Sequence, residues 1–352
     1  MRYIGNKENL VETIFRILIE HDIKGESFFD VFSGTANVGK FFKKQGYQVF
    51  SNDLMYYSYV LQKAYIENNT TPLFKELLPS LSVSKQELFE SPLQQVLFYL
   101  DSLPPVEGFI YSNYTPEGTP ELDIPRMYYT GENGQFIDKV RIQIEKWYEE
   151  QLIDDNEYYI LITSLIETVP FYANISGVYG AFHKKWDSRA LKKMKLRDVE
   201  VIDNNRENHV YNTDSRLLFN EVLADIYYLD PPYNQRQYAP NYHLLETIAR
   251  YDNPEIKGVS GMRDYSQQKS KFCQKRHALD ELENFVEYGN YKHLVLSYNS
   301  EGLMEQEDIL EMMNSYGVTK LVEFDYTRYK SNNNGVNQNK KYIKEQLYLL
   351  SR

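Results

Sequence analysis

Two groups of residues in this 352-residue chain have the types and spacing to do chemistry. One is Asp230-Pro231-Pro232-Tyr233, directly after the apolar run Ile226 to Leu229. Successive prolines carry no backbone N–H, so the segment presents only acceptors: its carbonyls and the Asp230 carboxylate. A tyrosine at the end offers a flat stacking face. That combination suits an exocyclic amine on a planar base, whose lone pair is delocalised into the ring and barely nucleophilic. Acceptors outside the ring plane would draw the N–H bonds toward sp³ geometry and aim the lone pair at an electrophile. They would also offset the charge developing on nitrogen. The plainer alternative is a rigid strand-ending turn, since proline terminates ladder pairing.

The other group is Asp30-Val31-Phe32-Ser33-Gly34-Thr35-Ala36-Asn37-Val38-Gly39, with Asp53 further on. Gly34 falls where a strand must turn sharply and let a ligand approach the backbone, and the helix start that follows offers unpaired N–H groups. Asp53, 19 residues beyond Gly34, closes the next strand, where a carboxylate can accept both ribose hydroxyls of a nucleoside. These features describe an adenosine-type cofactor. A dinucleotide fits poorly because G-x-G-x-x-G is absent. A structural turn glycine with an exposed aspartate is the competing explanation.

The elements that must carry these residues follow from periodicity. Val11, Ile14, Phe15 and Leu18 recur at helical spacing, and Ser27 to Phe32 is a short aromatic-rich run that reads as a buried strand. A helix follows, with Val38, Phe41 and Phe42 inward and Lys40, Lys43 and Lys44 outward; Gly46 stops it, and Tyr47 to Phe50 is a second strand. Strand, glycine turn, helix, strand is a βαβ unit, hence a parallel, doubly wound sheet. His209 to Tyr211, Ile226 to Leu229 and His293 to Tyr298 read as further strands. Val322 to Lys330 and Tyr342 to Leu350 read as a terminal antiparallel hairpin turning at Asn332 to Gly335. The fold class is therefore α/β: a Rossmann-like, mostly parallel sheet with a C-terminal antiparallel hairpin. Between Asn69 and Arg206 the rhythm breaks into turn-rich segments and helices at Phe136 to Ile153 and Asn156 to Thr168. The expected organisation is a catalytic part, 1–69 and 206–352, with an inserted, mostly helical subdomain at 70–205.

Length divided by roughly 150 residues per domain gives about two domains. With 42% hydrophobic and 25% charged residues the composition is globular, which excludes wholesale disorder. No run reaches the ~18 apolar residues of a membrane span, and Glu12 and Arg16 interrupt the one N-terminal apolar stretch, so no signal peptide is expected. A single cysteine, Cys273, excludes an internal disulfide framework and suits a reducing cytoplasm. The six histidines show no paired metal spacing, so no metal is expected. A net charge of −11 argues against a uniformly basic surface, yet seven cations between Lys184 and Arg197 stand against Asp187 alone, and six between Lys257 and Arg276 against Asp264 alone. Local stripes of this kind can hold a phosphate backbone or serve only as solvated faces.

Asp-Pro-Pro-Tyr, the Phe32-Ser33-Gly34-Thr35 loop and the opening Arg2-Tyr3-Ile4-Gly5-Asn6-Lys7 together make the chain resemble the Dam-like, D12 class of adenine-N6 DNA methyltransferases. The resemblance spans most of the chain, in order: N-terminal segment, cofactor loop, Asp53, Asp214, Asp230 to Tyr233, and C-terminal hairpin. It implies transfer of a methyl group from S-adenosylmethionine to adenine N6 in double-stranded DNA, with base flipping, in a restriction-modification or phage-defence system. It places Tyr3 and Lys7 on the cofactor, Lys7 as the cation for the methionine carboxylate. Asp214 would receive the cofactor's adenine amino group. Asp230 and the Pro231 carbonyl would accept from the target amine, and Tyr233 would stack on the extruded base. Asp30, Ser33 and Thr35 belong to the same cofactor loop. Ala36 departs from the pattern, standing where many relatives have a second glycine. A cognate restriction endonuclease is a possible partner, and a monomer is favoured. Cytosine-N4 methylation, and a scaffold that has lost its chemistry, are the alternatives.

DNA contacts are expected from two places. Arg236 and Tyr238, just past the catalytic loop, suit phosphates flanking an extruded base. The glycine-bracketed Asn174 to Gly180 loop, with Ser176 and Tyr179, precedes Lys184 and Lys185, giving base-edge contacts followed by phosphate anchors. A helix-capping loop before a basic helix is the bland alternative. Lys257 to Arg276 reads as a mobile loop over the DNA, and Asn332 to Asn339 as a DNA contact or merely a polar tip.

Overall fold

The computed structural model describes residues 7–81, 90–327 and 342–352. Tyr3 and the hairpin turn Asn332 to Asn339 lie outside the described residues. In chain order the helices and strands are α1 (Val11–Glu20), β1 (Ser27–Asp30), α2 (Asn37–Lys44), β2 (Gln48–Asn52), α3 (Tyr56–Gln62), α4 (Pro92–Ser102), α5 (Phe109–Tyr114), α6 (Gly131–Glu149) and α7 (Asp155–Thr168). They continue with β3 (His209–Tyr211), β4 (Leu223–Leu229), α8 (Ala239–Arg250), β5 (Ile256–Lys257), β6 (Met262–Arg263), α9 (Ala278–Tyr288), β7 (Asn290–Asn299), α10 (Gln306–Asn314), β8 (Val318–Thr327) and β9 (Tyr342–Ser351). The described residues divide into two compact units: 7–62, 202–239, 266–327 and 342–352 in one, and 63–81, 90–201 and 240–265 in the other.

The first unit is built on a seven-stranded sheet ordered β3-β2-β1-β4-β7-β9-β8. Its first five strands run parallel, whereas β9 is antiparallel to both β7 and β8. It is the mostly parallel α/β sheet with an antiparallel end expected from the sequence. Alternation along β1 sends successive side chains to opposite layers. Phe28 stacks on Phe42 of α2 at 3.7 Å between centroids, while Phe29 joins a buried cluster with Tyr227, Leu282 and Phe285. Lys43 is not on the solvent face expected for it: it is fully buried, because the chain around Asp203 and Asn204 covers the end of α2, where Asn204 Nδ2 donates to the Tyr47 carbonyl at 2.7 Å.

The order of connection decides where chemistry can occur. The chain steps outward from β1 to β2 to β3, then returns to place β4 on the other side of β1. The loops leaving β1 and β4 therefore lead away to opposite sides at the carboxyl edge of the sheet, the switch point at which α/β sheets bind ligands.

The second unit is helical. Buried polar groups tie residues 240–265 into it, although the sequence suggests a single span from 206 onward for the catalytic part. Arg141 of α6 donates to the carbonyls of Ile248 and Ala249, each at 3.2 Å. Arg126 donates to the carbonyls of Val259 and Gly258 at 3.1 and 3.0 Å, and the Tyr114 hydroxyl to that of Gly261 at 2.7 Å. Gly261 holds φ +64°, and a Cβ there would meet Tyr114 and Arg126. The stretch expected as a mobile loop thus includes a pinned β5–β6 hairpin.

Candidate active site

The β1–α2 loop closes on its neighbours through backbone bonds. Val31 N donates to the Tyr228 carbonyl at 3.1 Å and Ser33 N to that of Asn52 at 3.0 Å. Gly34 takes φ +55°, and its N–H donates to Asp53 Oδ2 at 2.8 Å, while Met55 N donates to Oδ1 at 2.8 Å. Two N–H donors thus fix the Asp53 carboxylate. Ala36, the N-cap of α2, stands at φ +60° and ψ 12° in the left-handed region that glycine favours. The departure from the pattern is therefore a matter of backbone strain as well as added bulk. Ser33 and Thr35 are buried in the same loop, and Asn37 Nδ2 donates to Thr35 Oγ1 at 3.0 Å. Phe32 turns toward α9, edge-on to Phe272 at 5.4 Å and Phe285 at 5.8 Å, so its ring helps hold the loop to the core.

Asp30 and Asp230 close the adjacent strands β1 and β4. Asp30 Oδ2 accepts from Gly39 N at 3.1 Å, in the first turn of α2. Burial, with the like charges of Asp230 and Asp53, lifts its carboxyl to about 7. Burial likewise lifts Asp230 to about 7, against the pull of Lys7 and with the push of Glu345. Lys7 is buried, with Nζ 3.4 Å from Asp230 Oδ1 and in contact with Glu345 Oε1. Burial opposes its charge, but the two carboxylates prevail and hold its proton more tightly than usual. Ser297 Oγ of β7 donates to Glu345 Oε1 at 3.0 Å.

The loop after β4 is braced from outside. Leu303 N donates to the Tyr233 carbonyl at 3.1 Å. The Gln237 side chain donates to the Ser270 carbonyl at 3.0 Å and accepts from its N–H at 2.8 Å. Pro231 is buried; Pro232, Tyr233 and Tyr238 are half-buried, and Arg236 is exposed. The short loop therefore carries a carboxylate, a half-buried aromatic ring and an exposed guanidinium.

Sequence reading and structure part at several residues. The resemblance gives Lys7 a ligand's carboxylate, whereas the structure engages its ammonium with two carboxylates of the chain. Asp214 does follow β3 at the same edge, but its carboxylate accepts from Arg216 Nε at 3.0 and 3.1 Å, and that bond holds it below the usual carboxylate range. Any ligand amine would have to share it with the guanidinium. Glu345 escaped the sequence reading because it sits in a strand with no catalytic signature; a charged residue at a buried hairpin position was the one available signal.

In the helical unit, Tyr179 does not present the base-edge contact expected of it. It is 1% exposed, its hydroxyl is 3.3 Å from that of Tyr129, and its carbonyl accepts from Tyr128 and from His243 Nε2 at 2.7 and 2.9 Å. It is core and cannot touch a base edge. His243 is equally buried, and burial holds it down to about 4, so it stays neutral. Ser176 remains half-exposed. The basic run forms no helix: from Lys193 to Arg197 exposed cations alternate with buried Met194 and Leu196. Asn133 pins this extended stretch, donating to the carbonyls of Ala190 and Lys192 at 3.2 and 3.0 Å and accepting from Met194 N at 3.0 Å. Lys184, Lys185 and Lys192 are exposed and form no ion pair among the described residues, whereas Arg189 is committed to Asp187. Among the described residues no group of three metal-ligating side chains occurs, and no helix is long and apolar enough to cross a membrane.

Comparison with known proteins agrees with this geometry. Residues 3–312 match the D12 class N6 adenine-specific DNA methyltransferases. The chain is 43% identical over 339 residues to the Type II methyltransferase M.FokI of Planomicrobium okeanokoites, covering 94% of this chain and 50% of that protein. It is 38% identical to the modification methylase StsI of Streptococcus sanguinis, over 100% of this chain and 52% of that protein. The Type II methyltransferase M.NlaIII of Neisseria lactamica is 38% identical over 94% of this chain and 93% of its own length. The chain thus spans about half the length of the FokI and StsI relatives. The chain belongs to the D12 class of N6 adenine-specific DNA methyltransferases.

Proposed function

We propose that this chain transfers a methyl group from S-adenosylmethionine to the N6 amino group of adenine in a specific double-stranded DNA sequence, as the Type II modification enzyme of a restriction-modification system. The observation that carries the reading is the juxtaposition at the switch point: the Asp230 to Tyr233 loop, with no N–H at its two prolines, leaves β4 beside the Gly34 loop leaving β1. S-Adenosylmethionine supplies an electrophilic methyl group on a positively charged sulfur. The donor set fits that charge: the carboxylates of Asp30, Asp53, Asp230 and Glu345 gather at this edge, and Lys7 lies against Asp230 and Glu345. A buried excess of carboxylate favours a cationic ligand.

Asp53 would hold the ribose hydroxyls, with Gly34 letting the nucleoside approach the loop; Asp30, Ser33 and Thr35 shape it, and Phe32 anchors it. Asp214 would face the adenine amine while paired with Arg216. Asp230 and the Pro231 carbonyl would accept the two N–H bonds of the extruded base, Pro232 keeping the turn stiff, and Tyr233 would stack on the ring. Arg236 and Tyr238 would steady the flanking strand, and Ser176, Lys184 and Lys185 are offered to the duplex as target-recognition contacts. The helical unit is assigned target recognition and the sheet unit catalysis. The test is to incubate the protein with labelled S-adenosylmethionine and genomic DNA and digest to nucleosides. N6-methyladenine is the expected product; label confined to N4-methylcytosine, or absent, would overturn the reading.

A further inference from the structure

β9 runs antiparallel to β7, so its amino-terminal end lies at the edge where the parallel strands have their carboxyl ends. Glu345, paired in register with Asn299, enters the catalytic edge from there, 3% exposed. Lys7 arrives from the opposite end of the chain; its carbonyl accepts from Leu10 N and Val11 N at 2.7 and 2.9 Å, so the turn that opens α1 fixes its backbone. Its ammonium then lies against Glu345 and reaches Asp230 only at 3.4 Å, through Oδ1. The Ser297 hydroxyl fixes Glu345 in turn.

We propose that Glu345 is a positioning residue for methyl transfer: it draws the Lys7 ammonium toward itself, so that Asp230 is oriented by that cation without being neutralised by it. The proposal rests on the assignment of Asp230 as acceptor for the target amine. When the N6 lone pair forms the new C–N bond, the S–C electron pair returns to sulfur and N6 must shed a proton. A carboxylate tightly paired with an ammonium is a poor acceptor for that proton, whereas one sharing the cation with a second carboxylate is a better one. The titratable groups that face Asp230 are Lys7 from the segment before α1, Glu345 from β9, Asp30 from β1 and Tyr228 from β4. Glu345 raises and Lys7 lowers its proton affinity.

The experiment compares Glu345→Gln, Lys7→Met, the Lys7→Met/Glu345→Gln pair and Asp230→Ala with the full chain. It reads single-turnover methylation against pH, on a duplex that the unsubstituted protein modifies, and S-adenosylmethionine affinity by calorimetry. Glu345→Gln, which keeps the shape and the Ser297 contact, should lower the rate at least tenfold with donor affinity within threefold. Its acid limb should move to lower pH. Lys7→Met should move that limb to higher pH, and adding Glu345→Gln to Lys7→Met should cost no further rate, since Glu345 acts through Lys7. An unchanged rate and profile in Glu345→Gln, or additive losses in the pair, overturns the proposal. Should Glu345→Gln alone fail to fold, the pair is compared with Lys7→Met: a further loss of rate on adding Glu345→Gln overturns the proposal. An active Asp230→Ala would instead overturn the acceptor assignment itself.

Discussion

Asp30→Asn isolates the electrostatics of the catalytic edge. The asparagine keeps the size and the acceptor for Gly39 N–H, and it does not ionise. Asp30 is 1% exposed; burial first, then Asp230 and Asp53, move its carboxyl from an ordinary 3.8 to about 7. Because the folded value is the higher one, the unfolded chain releases the proton first. The stability held by the protonated form is complete below about pH 4, declines as pH rises, and is gone above about pH 7. At about 1.4 kcal/mol for each tenfold change in proton affinity, the full span is about 4 kcal/mol. Relaxation and shared titration with Asp230 bring the expectation to about 2 kcal/mol. Urea unfolding of both proteins at pH 4.5 and pH 8 checks it: the variant should gain about 2 kcal/mol on the unsubstituted chain between those values. A cation binding beside Asp30 lowers its proton affinity, so S-adenosylmethionine titrations near pH 7 in two buffers of different ionisation enthalpy should show proton release, smaller in the variant. Parallel stability curves for the two proteins would refute the reasoning.

Three further substitutions probe other parts of the chain. Ala36→Gly relieves a left-handed alanine, costing roughly 1–2 kcal/mol, against about 0.5–1 kcal/mol of added unfolded-state entropy; the urea midpoint should rise, and a fall would show that the Ala36 methyl is needed. Tyr233→Ala should remove about 1–3 kcal/mol of base stacking, so single-turnover rate drops about tenfold or more while duplex affinity changes less; equal losses in both would remove the stacking role. Replacing Lys184, Lys185 and Lys192 together by alanine should flatten the log–log salt dependence of DNA binding by about 2–3, and an unchanged slope would place the interface elsewhere.

The sequence by itself determined the reacting loop and the local elements around it. Asp230 to Tyr233 is readable because proline's missing N–H and the aromatic face are properties of the residues in any fold. β1, α2 and β2 are readable because burial in a sheet and on a helix leaves periods of two and 3.6 in the chain. Tertiary structure alone decided which distant residues meet. Glu345 and Lys7 are 338 positions apart, and their contact exists only because β9 inserts antiparallel between β7 and β8. Tyr179 and Lys43 carry polar groups typical of a surface, yet covering segments bury both, which periodicity within one helix or loop cannot register. Residues 240–265 join the helical unit through arginine-to-carbonyl bonds whose acceptors are backbone atoms, identical at every position and therefore invisible in a sequence. Side-chain chemistry is local and legible; the charge state of a buried carboxylate depends on what the fold places against it.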